Sequence, residues 1–109
     1  MDFRVVILDS AQQDLKELRA YILNNFSADT WRTSYTKIKE AIRNLQNFPQ
    51  AGSIPEEIEK LNLTQYRQVL SGMNRIIYEL RQDVIYIHIV VGARRDMSAL
   101  LTRRLLRIY

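Results

Sequence analysis

The stretch that decides the fold is RIIYELRQDVIYIHIVV, residues 75–91. In residues 75–81, apolar side chains largely alternate with charged ones, which is the two-residue period of a strand with one buried face. The short polar pair Gln82-Asp83 is typical of a tight turn. Residues 84–91 are apolar at almost every position, which predicts a central strand covered on both faces. The stretch therefore predicts an antiparallel pair of strands within a sheet.

Shorter patterns on either side extend this sheet. Residues 66–70 predict a strand that ends at Ser71-Gly72. The apolar run of residues 3–8 predicts another strand near the amino terminus. Gly92-Ala93 breaks the central strand, so the sheet is predicted to end there.

Two helices are predicted between the first strand and the other three. Asp9 or Ser10 can cap the start of the first helix, and Phe48-Pro49 ends the second. Each helix carries apolar side chains at spacings of three and four residues, the period of a helix with one buried face. These side chains are Ala11, Leu15, Leu18, Ile22 and Phe26 in the first helix and Trp31, Tyr35, Ile38, Ile42 and Leu45 in the second. The short link between them predicts an antiparallel hairpin.

The remaining segments complete the predicted order of elements. Residues 50–55 contain a glycine and a proline and are predicted to form a loop, and residues 56–60 are a polar stretch with room for one helical turn. After the sheet, Asp96 can cap a last helix. The apolar residues of that helix are Leu100, Leu101, Leu105 and Ile108. The sequence thus predicts one α+β domain over residues 1–109, in the order β-α-α-β-β-β-α.

Composition narrows the function classes. The chain has 109 residues, of which 47% are hydrophobic and 26% charged, and this suits one folded domain. It contains no cysteine, which excludes a disulfide framework, a thiolate zinc site and a cysteine nucleophile. No apolar run reaches signal-peptide or membrane-spanning length, so we expect a cytoplasmic protein without a membrane partner.

Positive charge is concentrated in the second part of the chain. Residues 1–60 hold 8 Lys/Arg against 9 Asp/Glu, whereas residues 61–109 hold 8 arginines against 3 acidic residues. The planar arginine fork binds phosphate or carboxylate through two parallel hydrogen bonds. An arginine-only basic part therefore indicates an anionic partner, either nucleic acid or an acidic protein; a solubilising surface is the alternative interpretation.

The ordered motifs of the second part resemble those of one protein superfamily. They are Tyr66-Arg67, Asn74 to Leu80, the aliphatic strand 84–91, Arg94-Arg95-Asp96 and Leu100-Leu101. This series is similar to the RelE/ParE toxins of type II toxin–antitoxin systems, and the likeness covers nearly the whole chain. The helix exit from Leu45 to Gly52 looks more like the ParE branch. The resemblance implies an N-terminal helical hairpin packed on a small, mostly antiparallel sheet.

The resemblance also implies a function and partners. ParE-like members poison DNA gyrase and need no catalytic residue, and a growth-inhibiting poison of this kind, with a role in plasmid stabilisation, is the main hypothesis. RelE-like members cleave messenger RNA on the ribosome, which is the alternative, and an inactive member that binds only its antitoxin is the second alternative. In each case the partner is a cognate acidic antitoxin. No cofactor or metal is implied, and a homodimer and a toxin–antitoxin hetero-oligomer both remain open.

Arginines are the residues expected to bind the target. They are Arg67, Arg75, Arg94 and Arg95, and we expect them to form one cluster on the sheet. For Arg94 and Arg95, an internal pairing with Asp96 is the structural alternative.

A nuclease would in addition need groups that move protons. Its candidate residues are Arg67, Arg75, Tyr78, His88 and Arg95. His88, the only histidine, is expected on the same strand alternation as Tyr86 and Val90, where a packed residue is more common than a catalyst. Ala93 stands where many superfamily members have a histidine, which speaks against RNA cleavage, although Glu79 or Tyr78 could take over proton transfer in principle.

Overall fold

The elements follow the predicted order with one addition. The computed structural model describes residues 3–93 and 97–105. Its elements are β1 Arg4–Ile7, α1 Asp9–Asn25, α2 Ala28–Asn47, α3 Glu56–Lys60, β2 Tyr66–Ser71, β3 Asn74–Arg81, β4 Val84–Gly92 and α4 Met97–Leu105. The polar stretch 56–60 thus forms a short helix of its own. The predicted cap at Asp96 and the apolar Ile108 lie outside the described residues.

The four strands form one sheet in the order β1-β4-β3-β2. β2 and β3 are antiparallel neighbours, as are β3 and β4, whereas β1 joins the sheet parallel to β4. The prediction of a mostly antiparallel sheet is therefore confirmed. β4 is an inner strand, which explains why its sequence is apolar on both faces.

Each face of the sheet has its own apolar core. We call the face covered by α1 and α2 the hairpin face, and the opposite face, covered by α3 and α4, the α4 face. The buried residues on the hairpin face are Ala11, Ile38, Leu45, Ile76, Tyr78, Ile85, Ile87 and Val90. Those on the α4 face are Ile58, Tyr66, Ile77, Ile89, Val91, Leu100 and Leu101. The sheet is therefore the middle layer of three, and β4 contributes to both cores.

The ends of the two long helices differ from the sequence-based expectation in part. The cap predicted at Asp9 or Ser10 is wrong, because both residues lie inside α1 and the cap position is Leu8, which has no side-chain hydrogen bond to offer. α2 is capped by Ser27, whose Oγ accepts a hydrogen bond from the backbone nitrogen of Thr30 at 3.1 Å. Phe48 ends α2 as predicted.

The predicted apolar stripes are buried over the sheet and exposed toward the tip of the hairpin. Ile38 and Leu45 are fully buried, whereas Tyr35 is 39% exposed and Phe26 64% exposed. Phe26 lines an open groove between the hairpin and the end of the sheet. Tyr35 packs on Trp31, with ring centroids 5.2 Å apart. The periodicity therefore predicts the helices correctly but overestimates how much of each stripe is covered.

A buried tyrosine fixes the loop between α2 and α3. Tyr78 is fully buried, and its hydroxyl donates to the carbonyl of Pro49 at 2.8 Å and accepts from the nitrogen of Gly52 at 3.0 Å. An added Cβ on Gly52 would lie 2.5 Å from the carbonyl oxygen of Gln68 and 2.7 Å from the Tyr78 hydroxyl. Glycine is required here because the loop backbone approaches the sheet too closely for a side chain.

The Gly52→Ala substitution tests this close approach. It should lower the free energy of unfolding by about 1–3 kcal/mol, because the new methyl group overpacks against backbone and a buried ring. Gly92→Ala is the matched control, since nothing lies within 4 Å of the Cβ it would add. Urea denaturation of both variants checks the prediction, and equal stability of the two would contradict it.

Candidate functional site

Arg67 lies on the hairpin face of the edge strand β2. It is the cross-strand partner of the buried Tyr78, and cross-strand partners share a face of the sheet. Its guanidinium donates from Nη1 to the carbonyl of Gly52 at 2.8 Å. The predicted target-binding Arg67 therefore helps to hold the same loop as Tyr78.

Arg75 lies on the opposite, α4 face. It shares the alternation of β3 with Ile77, which belongs to the core under α4. Its Nη1 donates to Oε2 of Glu57 in α3 at 3.0 Å, and both side chains are partly buried. A residue of the short helix α3 thus neutralises a predicted target-binding arginine.

The structure does not bring the two described site arginines together. Arg67 and Arg75 lie on opposite faces of the sheet, so the expected single cluster does not include both of them. The reason is the two-residue period of a strand pair, which places Arg67 opposite Tyr78 rather than opposite Arg75. Arg94 and Arg95 lie outside the described residues.

A bulge in β4 sets the position of His88. Ile77 pairs with Ile89 and Tyr78 pairs with Ile87, so His88 has no partner in β3. A residue inserted in this way shifts the alternation that follows it. The expectation that His88 shares a face with Val90 is therefore wrong, because Val90 packs on the hairpin face.

His88 belongs to a polar cluster on the α4 face. Its Nε2 lies 3.1 Å from Oε1 of Glu79, and its ring is perpendicular to the ring of Tyr66, with centroids 5.0 Å apart. Glu79 is buried and also binds Arg81 through Nε at 3.1 Å. The Arg81 guanidinium lies 5.0 Å from the centroid of the Tyr86 ring. The cluster joins a carboxylate and an imidazole, the two groups that proton transfer most often uses.

Burial determines the charge of His88. Loss of water lowers the pKa of its imidazole below the ordinary value, and the nearby guanidinium groups of Arg81 and Arg104 lower it further. The hydrogen bond and the charge of Glu79 act in the opposite direction without overcoming burial. The imidazole is therefore neutral at pH 7.

Sequence reasoning missed an ion pair between α1 and α4. Arg104 donates from Nη1 to Oδ1 of Asp14 at 3.0 Å and from Nη2 to Oδ2 at 3.1 Å, the two-pronged arrangement of a guanidinium on a carboxylate. Asp14 Oδ2 also accepts from the backbone nitrogen of Val90 at 3.0 Å, and Arg104 Nη2 donates to the carbonyl of His88 at 2.7 Å. The pair thus satisfies backbone groups of β4 as well as each other.

One signal in the sequence could have indicated this pair. Asp14 lies three residues after Ala11 and four before Leu18, so it shares the apolar side of α1. A carboxylate on a buried helix side requires a cation or several hydrogen-bond donors. The identity of its partner, Arg104, depends on the packing of α4 and could not be deduced.

The residues described by the structure contain no group of three or more His, Cys, Asp or Glu placed to hold a metal ion. Within the same ranges, no helix is long and apolar enough to cross a membrane.

Removing the charge of Asp14 should weaken the whole fold. Asp14→Asn leaves the mostly buried Arg104 without its counter-charge, so the free energy of unfolding should fall by about 3 kcal/mol. Glu17→Gln, an equal charge change at an exposed position of the same helix, should change stability by less than about 0.5 kcal/mol. Chemical denaturation measures both, and a similar loss in the two variants would refute the role of the pair.

The single histidine permits a direct test of its environment. NMR titration of the imidazole should give a midpoint below the ordinary 6.5. Below pH 6.5 the histidine is protonated in the unfolded chain but still neutral in the folded chain, because its folded pKa is lower. The free energy of unfolding therefore decreases as the pH falls from 6.5 toward the folded pKa. His88→Gln should therefore flatten the dependence of unfolding free energy on pH below about 7. A midpoint at or above 6.5 would be inconsistent with this burial.

Comparison with solved structures identifies the fold. A chain of the chromosomal ParDE toxin–antitoxin system from Pseudomonas aeruginosa superposes with a TM-score of 0.69 at 14% identity, covering 84% of this chain and 97% of that chain. A chain of the RelBE2 toxin–antitoxin complex from Mycobacterium tuberculosis superposes with a TM-score of 0.58 at 19% sequence identity, covering 84% of this chain and 99% of that chain. A mutant of the Escherichia coli toxin RelE in the free state superposes with a TM-score of 0.65 at 13% sequence identity, and 100% of both chains is covered. At sequence identities this low, the superpositions show a similarity of fold alone.

Comparison at the level of sequence identifies the family. No curated protein sequence matches the chain significantly. The sequence model of one family, described as "ParE toxin of type II toxin-antitoxin system, parDE", matches residues 5–97. That match spans most of the chain, including both long helices and the complete sheet except for Arg4. The chain therefore belongs to the ParE toxin family of type II toxin–antitoxin systems.

Proposed function

We propose that this toxin inhibits growth as a ParE-like poison of DNA gyrase. The observation that carries the proposal is the match of residues 5–97 to the ParE toxin family. A poison of this kind traps the complex of gyrase with cleaved DNA through surface contacts. It requires a rigid basic surface and no proton transfer of its own.

The contacts of the nuclease candidates support the same proposal. The Tyr78 hydroxyl is buried, and it both donates and accepts a hydrogen bond within the loop that follows α2. Burial raises its pKa above the ordinary value, so it is a poor proton acceptor at pH 7. Arg67 binds a backbone carbonyl and Arg75 binds Glu57. The contacts of Tyr78 and Arg67 hold the loop that follows α2, which gives these two side chains a structural role.

One observation favours ribosome-dependent cleavage of messenger RNA as a second candidate. The neutral imidazole of His88 and the carboxylate of Glu79 are 3.1 Å apart, within the reach that a proton relay needs. Arg81, 64% exposed, and the ring of Tyr86 lie beside them. A guanidinium and an aromatic ring are suitable contacts for an RNA phosphate and base.

The proposed partner in the cell is a cognate acidic antitoxin. Two of the similar structures come from toxin–antitoxin systems, by their own descriptions. An acidic partner suits the arginine-rich second part of this chain, because opposite charge accelerates encounter. A groove of about 930 Å³ between the helical hairpin and the end of the sheet offers apolar contact area, with Tyr21, Phe26 and Met73 exposed around it. We expect antitoxin residues to cover this groove.

Two biochemical assays separate the candidates. The purified toxin, incubated with gyrase and supercoiled plasmid, should yield linear DNA once the trapped complex is denatured. A translation extract that contains the same toxin should keep its messenger RNA intact. Cleaved message together with unaffected gyrase would reject the proposal in favour of the nuclease. If induction without the antitoxin leaves growth unchanged, the chain is an inactive member.

Single substitutions distinguish the gyrase poison from the nuclease in cells. Arg75→Ala and Arg95→Ala should each abolish growth inhibition under either activity, because both arginines are proposed target contacts. His88→Ala should leave growth inhibition intact under the poison mechanism and abolish it under the nuclease mechanism. Circular dichroism of each purified variant checks that it is folded.

A further inference from the structure

The groove between the helical hairpin and the end of the sheet has one polar end. Its walls are largely apolar, with Leu18, Ile22 and Val90 among the lining residues. At the turn between β2 and β3, however, the facing residues Ser71 and Asn74 line the same groove. Each of these two is only 6% exposed, so polar side chains are buried here beside apolar ones.

Ser71 has an unused hydroxyl at this end. Its Oγ is buried and has no hydrogen-bond partner among the residues that the structure describes. A buried hydroxyl without a partner is unfavourable in the free protein. Rotation about χ1 to another staggered position can turn the oxygen toward the groove without breaking a hydrogen bond. The hydroxyl is therefore available to a ligand.

Lys37 brings a positive charge to the same end. Its side chain lies over Gly72, because a Cβ on that glycine would be 3.6 Å from Cδ of Lys37 and 4.0 Å from Nζ. Gly72 directly follows Ser71. Within residues 3–93 and 97–105, no carboxylate forms an ion pair with Lys37. An ammonium, a hydroxyl and an amide can thus donate hydrogen bonds into one region of the groove.

Glu17 and Lys37 are the charges that remain to face a ligand. Four charged side chains line the groove, and internal ion pairs engage two of them. These pairs are Asp14 with Arg104 and Asp29 with Arg32. Glu17 of α1 and Lys37 of α2 have opposite signs. A carboxylate is therefore attracted at the Lys37 end of the groove and repelled near Glu17.

We propose that this polar end of the groove binds the carboxylate of an aspartate or glutamate of the antitoxin, while apolar antitoxin residues fill the rest of the groove. Lys37 supplies the opposite charge, and Ser71 and Asn74 donate hydrogen bonds to the carboxylate. The inference rests on the proposed function in taking an acidic antitoxin as the occupant. It adds the residues that fix the orientation of the antitoxin chain, because the carboxylate fits at one end only.

The groove suits a carboxylate on a polypeptide better than a nucleic-acid phosphate. Nucleic acid carries a charge at every nucleotide. The groove offers it one unpaired cation, the opposing charge of Glu17 and apolar walls. A polypeptide can instead present a single charge among apolar side chains. Phe26 and Met73, which line the groove and are 64% and 63% exposed, then gain an apolar cover.

The test measures binding of labelled peptides to the purified toxin by fluorescence anisotropy. The peptides are short amphipathic helices of leucine, alanine and glutamine with blocked ends. The reference peptide is uncharged, and each other peptide of the set carries a single glutamate at a different position. At one position, or at neighbouring ones, the Kd should fall roughly two- to fivefold below that of the reference peptide.

Lysine variants locate the effect. Lys37→Gln should remove the preference for the glutamate peptide. Lys39→Gln is the matched control, because it makes the same change of charge on α2 at a side chain that lies over the ring of Tyr35 and not in the groove. This variant should keep the preference, since only the long-range field of the protein differs.

Ser71→Ala separates binding of the carboxylate from folding. The hydroxyl has no partner in the free protein, so its removal should not lower the melting temperature. The same variant should weaken binding of the glutamate peptide and leave binding of the reference peptide unchanged. Thermal melts verify that every variant is folded at the assay temperature.

Three results would overturn the proposal. The first is a set in which no glutamate peptide binds more tightly than the reference peptide, and the second is an equal loss of preference for Lys37→Gln and Lys39→Gln. The third is a toxin dimer in sedimentation velocity that the peptides dissociate, which would make the groove an interface between two copies. The peptide assay contains no gyrase, so a negative gyrase assay would reject the poison mechanism alone. Loss of the peptide preference beside a positive gyrase assay would reject the carboxylate site alone.

Discussion

The ion pair between Asp14 and Arg104 is the interaction on which the arrangement of the layers depends. β1 has four residues and β4 has nine, so β1 covers only the first part of the edge of β4. Beyond it, the carbonyl of His88 and the nitrogen of Val90 point away from β3 and need other partners. Arg104 and Asp14 supply them at 2.7 and 3.0 Å. Where β1 has ended, side chains of α1 and α4 thus bind the backbone groups of β4 that β1 leaves unpaired. Because these two side chains also bind each other, they link α1 to α4.

Internal contacts of this kind change how the basic composition is interpreted. Arg104, Arg67 and Arg75 each bind a carboxylate or a carbonyl of the protein itself. Part of the positive charge therefore stabilises a small domain whose strands and loops leave acceptors unpaired. Among these contacts, only the pair of Arg75 with Glu57 combines partial exposure with an adjoining polar cavity. Its greater exposure also distinguishes this pair from Arg104 and Asp14, whose side chains are 15% and 8% exposed.

Local patterns predicted the elements, and distant contacts decided the site. Alternation in residues 75–81 and the apolar run 84–91 gave β3 and β4, and the helical stripes gave α1 and α2, because each pattern reflects burial of one segment against the core. The bulge at His88 could not be deduced, since an unbroken alternation fits its sequence equally well. The pairing of Asp14 with Arg104 joins residues 90 positions apart and depends on how α4 docks. Separation of Arg67 from Arg75 likewise follows from the register of β2 and β3.

The backbone is shared by proteins described as ParDE and RelE toxins, with TM-scores of 0.69 and 0.65 to this chain. Differences in target within such a fold must therefore arise from side chains on a common frame. Here the α4 face carries two distinct polar groups, Arg75 with Glu57 and His88 with Glu79. The side chains of the first group are 19% and 27% exposed. The second is more enclosed, with side-chain exposures of 16% and 9%. Arg81, which is 64% exposed and binds Glu79, extends the second group to the protein surface, so both groups offer a guanidinium on the same face of the common frame.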